Sequence, residues 1–453
     1  MLSLQLFFTD DNFITGERFT GPSYETFTPA SCGLYPDHSF DHIYFQGFVP
    51  GCNFGAVKTD KTMKLSQTYE TLFREFRQKE PVKQLQDFPV DIVTLPFLSD
   101  AERILPKRPL SSKREPRDFF PLPDARIPEN TSFTYTLFLP RQKPPHERVI
   151  LLLHGLNEKN WKKYLPWALH LVESTGSAVL LFPIAFHMDR APALWSQPRI
   201  MQHLTRMRTN LIRSLRESTF INAAISQRLD NFPLRFYLSG YQTANDIEKL
   251  LKQIISGHHP YFREDTRVDV FAYSIGALLA QVMLLSQNGS IPDRSRLFLF
   301  CGGSVFQEMQ GQSRFIMDSM AFNRLLDYYV NHMEQDIADH RPYTGVLKDS
   351  ALGNAFRSMI GTDLHRQKRE EILRGASDRM KAVGLEKDRV IAPDKILHTM
   401  QGASGDIPID VEILDFPFQY SHEIPFPIDK GVDKTEVDQA FSEVFGRAAS
   451  FFN

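Results

Sequence analysis

Continuous apolar runs alternate with segments of helical spacing through the middle of the chain. Val149–Leu153 is such a run, typical of a strand buried on both faces of a parallel sheet. Lys162–Ser174 follows with apolar side chains three and four positions apart, which predicts a helix. Further strands are predicted at Phe133–Leu139, Ala178–Phe182, Val268–Tyr273 and Arg296–Cys301, and further helices at Arg199–Arg228 and Ala277–Ser286. This alternation predicts an α/β fold with a mostly parallel sheet covered by helices.

The alternation stops between about residues 307 and 386. Charged amphipathic helices are predicted there, at Phe315–His340 and Gln367–Val383. Strand-like runs return at Arg389–Ala392 and Val411–Phe416, and a last helix is predicted over Lys434–Phe451. A helical insertion between strands of one sheet has to lie at the edge of the sheet or over its top. This stretch is therefore predicted to form a helical cap.

The first 115 residues differ from the rest, since they are rich in aromatic residues, prolines and turn formers. They contain one amphipathic helical stretch near Lys64–Gln78, and the proline-rich, charged segment Pro106–Pro128 indicates a boundary. The extension is expected to lengthen the sheet, support the cap or bind a partner. The predicted organisation is an aromatic-rich N-terminal extension, an α/β core in two pieces and an inserted cap, at residues 1–115, 116–306 with 387–453, and 307–386.

Composition adds mostly exclusions. The 453 residues include 52 Lys plus Arg and 54 Asp plus Glu, and a net charge of −2 gives no bulk electrostatic reason to bind nucleic acid. Three scattered cysteines, Cys32, Cys52 and Cys301, are too few for a disulfide framework or a zinc site. No apolar run approaches the roughly 20 residues of a membrane span, and the N-terminus lacks the basic flank of a signal peptide. We expect a cytoplasmic protein without a membrane span or a nucleic-acid partner.

The strongest local motif is Ala272-Tyr273-Ser274-Ile275-Gly276, which lies between the apolar strand VDVF and the helical run GALLAQVML. A strand, a sharp turn and a helix are the setting of a nucleophile elbow, where small residues two positions before and after the serine let strand and helix pack closely. The usual sequence of such an elbow is G-x-S-x-G, and Ala272 replaces its first glycine with the smallest possible side chain. Ser274 is therefore predicted to be a nucleophile.

From Phe133 to Asn453 the chain resembles the α/β-hydrolase superfamily, as a bacterial-type member with a helical cap and an N-terminal extension. In that family a buried strand ends in His-Gly, and backbone N–H groups just after it help to form an oxyanion hole. The run ILLLHGLN places His154-Gly155-Leu156-Asn157 in that loop. The resemblance implies that the N–H groups of Leu156 and Ile275 stabilise the charge of a tetrahedral intermediate.

The family's chain order, serine, acid and then histidine, implies where the other two members of a triad lie. The run RVIA is predicted to be the first strand after the cap, and Pro393-Asp394 follows it. Asp388 precedes that run and Asp406 lies in a later glycine-rich turn, so both fit less well. Asp394 is therefore predicted to be the acid.

The predicted base is His422, because it follows the last strand, VEILDF, in the loop where the base belongs. Its rival, His398, comes only four residues after the predicted acid, on the helical-looking stretch KILHTM. A histidine on such a stretch is more often a packed surface residue.

A further loop, Ile184–Arg190, follows the strand SAVLLFP, and ligands of parallel α/β sheets bind beyond the carboxyl ends of the strands. Side chains from this region, the oxyanion loop and the elbow are candidates for contact with substrate. A network that merely anchors the loops is an equally good interpretation. The candidates are His154, Tyr273, His187, Arg190 and Trp195.

These residues predict a serine hydrolase that forms an acyl-enzyme with a small-molecule ester, thioester or amide, with no cofactor and no metal. Carboxylester hydrolysis is the leading hypothesis, and the apolar cap faces favour short to medium acyl chains over acetyl. Two alternatives remain open: an acyltransferase, and an inactive binding or scaffolding protein on the same fold.

Overall fold

The computed structural model describes residues 64–77, 81–107, 122–142, 144–211, 215–429 and 431–453. Most of the predicted N-terminal extension, with Cys32 and Cys52, lies outside these ranges, as do residues 108–121 of the predicted boundary. The described residues from 64 onward belong to one compact unit, Lys61–Asn453.

A single sheet organises the described residues, with strand order β1-β2-β3-β5-β4-β6-β7-β8-β9. The strands are β1 Val82–Gln84, β2 Val90–Leu98, β3 Ser132–Pro140, β4 His146–Leu153, β5 Ala178–Leu181, β6 Phe262–Tyr273, β7 Leu297–Phe300, β8 Met380–Leu385 and β9 Asp410–Leu414. Pairings from β5 through β4 to β9 are parallel, and those among β1, β2, β3 and β5 are antiparallel. The predicted fold class, a mostly parallel α/β sheet, is confirmed.

Helices follow most of the parallel strands. In the described ranges they are α1 Leu65–Arg77, α2 Ala101–Ile104, α3 Pro128–Thr131, α4 Leu165–Thr175, α5 Pro198–Leu211, α6 Ala223–Asn231, α7 Arg235–Ile255, α8 Ile275–Leu285, α9 Ser319–Asp327, α10 Met333–Ala338, α11 Gly345–Lys348, α12 Ala351–Ser358, α13 Arg366–Gly375, α14 Pro393–Met400 and α15 Lys434–Phe452. The long helix α7 was not predicted from the sequence.

Both faces of the sheet are covered, which explains the unbroken apolar runs. Along β4, Val149, Leu151 and Leu153 face one core, with α5 to α14. Ile150 and Leu152 face the other core, with α1, α4 and α15. Successive side chains of a strand point to opposite faces, so a strand covered on both sides has no polar positions to spare.

The described part of the predicted N-terminal extension belongs to the sheet. β2 pairs with β3 along nine residues, and β1 pairs with β2. At the start of α1, the backbone N–H and the hydroxyl of Ser66 both donate to the carboxylate of Asp438 on α15, at 2.8 and 2.7 Å. A division of the chain at residue 115 therefore does not match the packing of residues 64–107.

One predicted strand is wrong. The sheet strand after the helical run is β8, Met380–Leu385, which lies at the end of the predicted helix Gln367–Val383. Helix α13 ends at Gly375, and the predicted strand Arg389–Ala392 is a loop whose N–H groups at Val390 and Ile391 bond to a side chain. The run of helices between β7 and β8 therefore ends before residue 380 rather than at 386.

Candidate active site

Ser274 lies on the sharp turn between the last residue of β6 and the first residue of α8. Its backbone has φ +59° and ψ −122°, a conformation that non-glycine residues rarely adopt and that costs about 1–3 kcal/mol. Backbone hydrogen bonds hold the turn: the N–H of Ser274 donates to Phe300 O at 3.2 Å, and Ser274 O accepts from the N–H of Ala277 at 2.9 Å. The surrounding sheet thus maintains a strained serine, as a nucleophile elbow requires.

Gly276 allows α8 to start directly against the end of β4. A Cβ atom at this position would lie 2.8 Å from Leu153 O and 2.9 Å from His154 O. Both neighbours are backbone atoms of a central strand and cannot move aside easily. The small residue two positions after the serine is therefore required by the close approach of the helix to the strand.

Replacing Gly276 by alanine should lower the free energy of unfolding by about 2 kcal/mol, because the added methyl group overpacks a rigid backbone contact. Urea denaturation measures the change. Gly446→Ala is the matched control, since this exposed glycine inside α15 has nothing within 4 Å of a built Cβ. The control should gain about 0.5–1 kcal/mol. Equal stability of Gly276→Ala and wild type would contradict the proposed contact.

A hydrogen-bonded relay connects the serine to a histidine and a carboxylate. Ser274 Oγ lies 2.6 Å from Nε2 of His422, and Nδ1 of His422 lies 2.7 Å from Oδ2 of Asp388. Since a carboxylate can only accept, Nδ1 carries the proton and Nε2 is left to accept from the serine hydroxyl. The side chains of His422 and Asp388 are 2% and 0% exposed. This tautomer is the one in which the imidazole acts as a general base.

Asp388, and not Asp394, is the carboxylate beside His422, so the predicted placement of Asp394 is wrong. Asp388 lies three residues after β8, and its other oxygen accepts the N–H groups of Val390 and Ile391 at 2.8 and 2.9 Å. Asp394 is in the first turn of α14, with a side chain 68% exposed and an ion pair to Lys395 at 3.1 Å. The error follows from the misplaced strand: once β8 ends at Leu385, Asp388 follows a strand and meets the family's chain order.

The other two alternatives also lie away from the relay. His398 on α14 is partly exposed and faces the carboxylate of Glu308 at 3.3 Å. Asp406 is exposed, and both of its carboxylate oxygens accept from Nη2 of Arg374 at 3.0 Å. Neither residue contacts Ser274 or His422.

Tyr273, a candidate for substrate contact, instead contacts His422. Its side chain lies on the face of the sheet opposite to α8. Its hydroxyl donates to the carbonyl oxygen of His422, and the two rings stack with centroids 5.5 Å apart. Burial raises the pKa of the Tyr273 phenol well above its usual value, so the donor stays protonated. These two contacts of Tyr273 position His422.

A second network joins the predicted oxyanion loop to the histidine loop. The N–H of Gly155 donates to the hydroxyl of Tyr164 at 2.9 Å, and that hydroxyl donates to Glu158 at 2.8 Å. Glu158 forms an ion pair with Lys163, whose ammonium donates to the carbonyl of Glu423 at 3.2 Å. The sequence prediction missed this network, because nothing in the local pattern indicates that its members meet.

The predicted oxyanion residues, Leu156 and Ile275, both line one pocket, which begins next to the elbow. Ile275 is the first residue of α8, where backbone N–H groups have no partner within the helix. The next residue in the loop, Asn157, has φ +62°, and its amide donates to Phe315 O at 2.6 Å and to Ile221 O at 3.2 Å. The loop is thus fixed to the segment that leads into α9.

Three of the candidate substrate contacts are buried structural residues. His154 donates from Nδ1 to Gly155 O at 2.8 Å and accepts at Nε2 from the N–H of Ile184 at 2.9 Å, while burial lowers its pKa. Arg190 bonds Asn130, Pro183 O and Asp246, with its side chain fully buried. Trp195 is also buried and stacks on Phe186. The hydrogen bonds of His154 and Arg190 therefore agree with a network that anchors the loops and not with contact to substrate.

His187 is the remaining candidate, and it does line the pocket. The pocket has a cavity volume of about 70 Å³ and is walled by residues of α6, α7, α8 and α12, together with Leu156 and the loop 184–187. Most of these side chains are apolar, and the polar ones are His187, Arg228, Tyr237, Ser239 and Tyr241. The pocket begins next to the elbow and runs between helices on the same face of the sheet as α8.

Within the described ranges, no group of three or more His, Cys, Asp or Glu side chains is arranged to hold a metal ion. Among the helices of those same ranges, none combines the length and the apolar character needed to cross a membrane.

Comparison with known proteins gives a family and several distant structures. An esterase from Pseudomonas putida is 12% identical, with 86% of this chain and 94% of that one covered and a TM-score of 0.35. A Pyrobaculum calidifontis esterase is 8% identical (86% and 90% covered, TM-score 0.40), and the peroxisomal α/β-hydrolase Lpx1 of Saccharomyces cerevisiae is 11% identical (80% and 90%, 0.37).

Likenesses this distant give no information on what this chain acts on. Curated protein sequences give no significant match. A family model, however, matches residues 63–453, so the chain belongs to the family of unknown function DUF6051.

Proposed function

We propose that the chain is a serine hydrolase that cleaves a carboxylic ester through an acyl-enzyme, with Ser274, His422 and Asp388 as its triad. The observation that carries the proposal is the continuous relay from Ser274 Oγ to His422 and on to the buried carboxylate of Asp388, at 2.6 and 2.7 Å. A serine hydroxyl is a weak nucleophile until a positioned base takes its proton. The relay supplies that base in the required tautomer.

In the first half of the reaction, Ser274 Oγ bonds to the carbonyl carbon while its proton passes to Nε2 of His422. The carbonyl oxygen becomes an oxyanion, which we assign to the N–H groups of Leu156 and Ile275. The bond to the alcohol oxygen then breaks, and the departing alcohol takes the proton from Nε2. In the second half, water gives a proton to Nε2 and attacks the acyl carbon, and Ser274 leaves with that proton as the acid is released.

We also propose that the helical run from α9 to α13 forms a cap with α6 over one side of this site. The start of the run is anchored to neighbouring helices: Arg208 of α5 makes two hydrogen bonds to Asp318, at 2.7 and 2.8 Å, and both side chains are fully buried. Asp318 in turn accepts from the N–H of Ala321 as the N-cap of α9. Residues of α12 then complete the pocket wall.

A fluorophosphonate probe should label the wild-type protein, because Ser274 Oγ bonds to its phosphorus while the P–F bond breaks and fluoride leaves, and the P=O oxygen takes the place of the oxyanion. Peptide mass spectrometry should find the label on Ser274 alone. Heat-denatured protein is the control and should not react. A folded protein that does not label would contradict the hydrolase and favour a binding protein.

A further inference from the structure

A glycine in the interior of a long helix lies in the middle of the pocket wall. Phe236, Gly240 and Ala244 of α7 all line the pocket, and they are spaced about one helical turn apart, with Tyr237 and Tyr241 beside them. Because residues four apart lie on the same face of a helix, Gly240 is at the centre of the face that α7 presents to the pocket. A Cβ atom built at Gly240 has no atom of the described residues within 4 Å, so this point of the wall borders open space.

The structure of α7 itself does not require a glycine at this position. The φ angle of Gly240 is not in the left-handed region, and glycine inside a helix is less favourable than alanine. No close contact requires it either, in contrast to Gly276, where a Cβ atom would lie 2.8 Å from a backbone oxygen. The effect of Gly240 is therefore to leave room in the pocket.

The facing wall shows how far the pocket extends from the elbow. Ile275, Leu278, Leu279 and Val282 line it, and they form one face of α8 from its first residue onward. Seven residues of helix, from Ile275 to Val282, rise about 10 Å. An extended chain advances about 1.2 Å per bond, so an acyl chain of about eight carbons covers this length. The cavity volume of about 70 Å³ is the space that the centres of water molecules can occupy, so the pocket itself is wider by a water radius on every side.

Most polar groups of the wall already have partners within the protein. The guanidinium of Arg228 donates to both carboxylate oxygens of Asp124 at 2.7 and 3.0 Å, and it lies 3.6 Å from the centre of the Phe186 ring. The hydroxyls of Tyr237 and Ser239 donate to backbone carbonyl oxygens at 3.0 and 2.6 Å. An alkyl chain in the pocket leaves these hydrogen bonds intact.

The two other polar side chains of the wall, His187 and Tyr241, do not oppose an alkyl chain either. Nδ1 of His187 donates to Ala185 O at 2.9 Å, and Nε2 is enclosed by the protein, so its surroundings are the same with and without a ligand. Tyr241 is half-buried, and water can solvate its hydroxyl. The rest of the wall is apolar and favours a hydrocarbon chain over water.

The position of the triad decides which part of an ester enters the pocket. Asp388 and His422 follow β8 and β9, on one side of the elbow strand β6, whereas the pocket includes the loops after β4 and β5, on the other side. The departing alcohol takes its proton from Nε2 of His422, so it leaves on the His422 side. Leu156 and Ile275, to whose N–H groups we assign the carbonyl oxygen, both line the pocket. The acyl chain is then the part that extends between α7 and α8.

We infer that this pocket binds the acyl chain of the substrate and that Gly240 makes room in it for a chain of about eight carbons. The inference rests on the proposed function and narrows it from esters in general to esters of medium-chain fatty acids. It also assigns the length limit to a particular residue.

The first test measures kcat/KM of wild type for 4-nitrophenyl esters from acetate to dodecanoate. The values should rise by up to about fourfold for each added CH₂ group as far as octanoate, and no further. Acetates of alcohols from ethanol to octanol should show no comparable rise, because the alcohol leaves on the other side of the elbow. A flat or falling acyl series, or a rise with the alcohol instead, would overturn the inference without any variant.

The second test fills the space at Gly240. Gly240→Leu should move the optimum to a shorter acyl chain and reduce the ratio of kcat/KM for octanoate to that for acetate by about tenfold or more, because leucine occupies the place of several CH₂ groups. Gly240→Ala should change the ratio in the same direction by less, and it carries the test if the leucine variant does not fold, since alanine is favoured in a helix.

Gly446→Leu is the matched control for this substitution. Gly446 is an exposed glycine inside α15, on the opposite face of the sheet, and a Cβ atom built there also has nothing within 4 Å. Its ratio of octanoate to acetate should equal that of wild type. An unchanged ratio in folded Gly240→Leu, including an equal loss for both esters, would overturn the inference.

Failure of the underlying function is distinguishable from failure of the inference. Labelling of Ser274 by fluorophosphonate without the expected dependence on acyl length contradicts only the role of the pocket and of Gly240. Absence of labelling contradicts the proposed function, and the inference with it.

Discussion

Ser274→Ala should reduce kcat for ester hydrolysis by about 10⁶-fold, since removing the nucleophile eliminates the covalent route and leaves only binding and oxyanion stabilisation. His422→Ala should cost a similar factor, and the double variant should be no worse than either single one, because the two groups act on one proton. Initial rates with an activated ester, followed over at least six decades with high enzyme concentration, measure the effect.

The matched control is Ser286→Ala, at the other end of the same helix. The Ser286 hydroxyl donates to Met283 O and to Asn288, and it has no contact with the relay. Its kcat should equal that of wild type. Circular dichroism should show that Ser274→Ala is folded, because alanine at this turn has no larger side chain than serine. A folded Ser274→Ala protein with more than about a hundredth of wild-type activity would exclude Ser274 as the nucleophile.

Asp388→Asn should reduce kcat by about 10⁴-fold, whereas Asp394→Asn should leave it unchanged. An asparagine side chain can offer its NH₂ group to Nδ1 of His422, which favours the tautomer with the proton on Nε2. That tautomer cannot accept the proton of Ser274. Asp394 is exposed and, among the described residues, pairs with Lys395, so we expect loss of its charge to affect the surface of α14.

The two asparagine variants control for each other, because they make the same chemical change six residues apart. Thermal unfolding of each checks that the loss in Asp388→Asn is not a loss of fold, since its amide can still accept the N–H groups of Val390 and Ile391 through one oxygen. If Asp394→Asn is inactive while Asp388→Asn keeps the wild-type kcat, the acid is Asp394, as the sequence predicted.

The sheet and the elbow could be predicted from the sequence because both depend on local patterns. Strands covered on both faces need continuous apolar runs, and the turn at Ser274 needs small neighbours such as Gly276. The prediction of the acid was wrong because it also relied on a local pattern. Residues 389–392 have the composition of a strand, yet Val390 and Ile391 give their N–H groups to Asp388, while the true strand β8 continues directly from a charged helical segment.

Candidate substrate contacts were harder to predict, because a sequence does not show which way a loop side chain points. Arg190 and His154 follow strand ends at the expected edge of the sheet, but both turn inward and bond the backbone of the loops. Lys163 and Glu158 had no motif to mark them, since the network to which they belong joins residue 155, through the hydroxyl of Tyr164, to residue 423, which is far away in the chain. Such positions depend on tertiary packing alone.

The amide of Asn157 has a consequence for how substrate enters. It holds Phe315 O, just before α9, and Ile221 O, while its backbone follows Leu156 directly. A lid motion that lifts residue 315 would break the bond to Phe315 O and leave the loop that carries the Leu156 N–H held through Asn157 by Ile221 O alone. Opening would then be coupled to the oxyanion site that we propose: the open protein would admit an ester while the loop of Leu156 is held less firmly, and closure would restore the position of its N–H group.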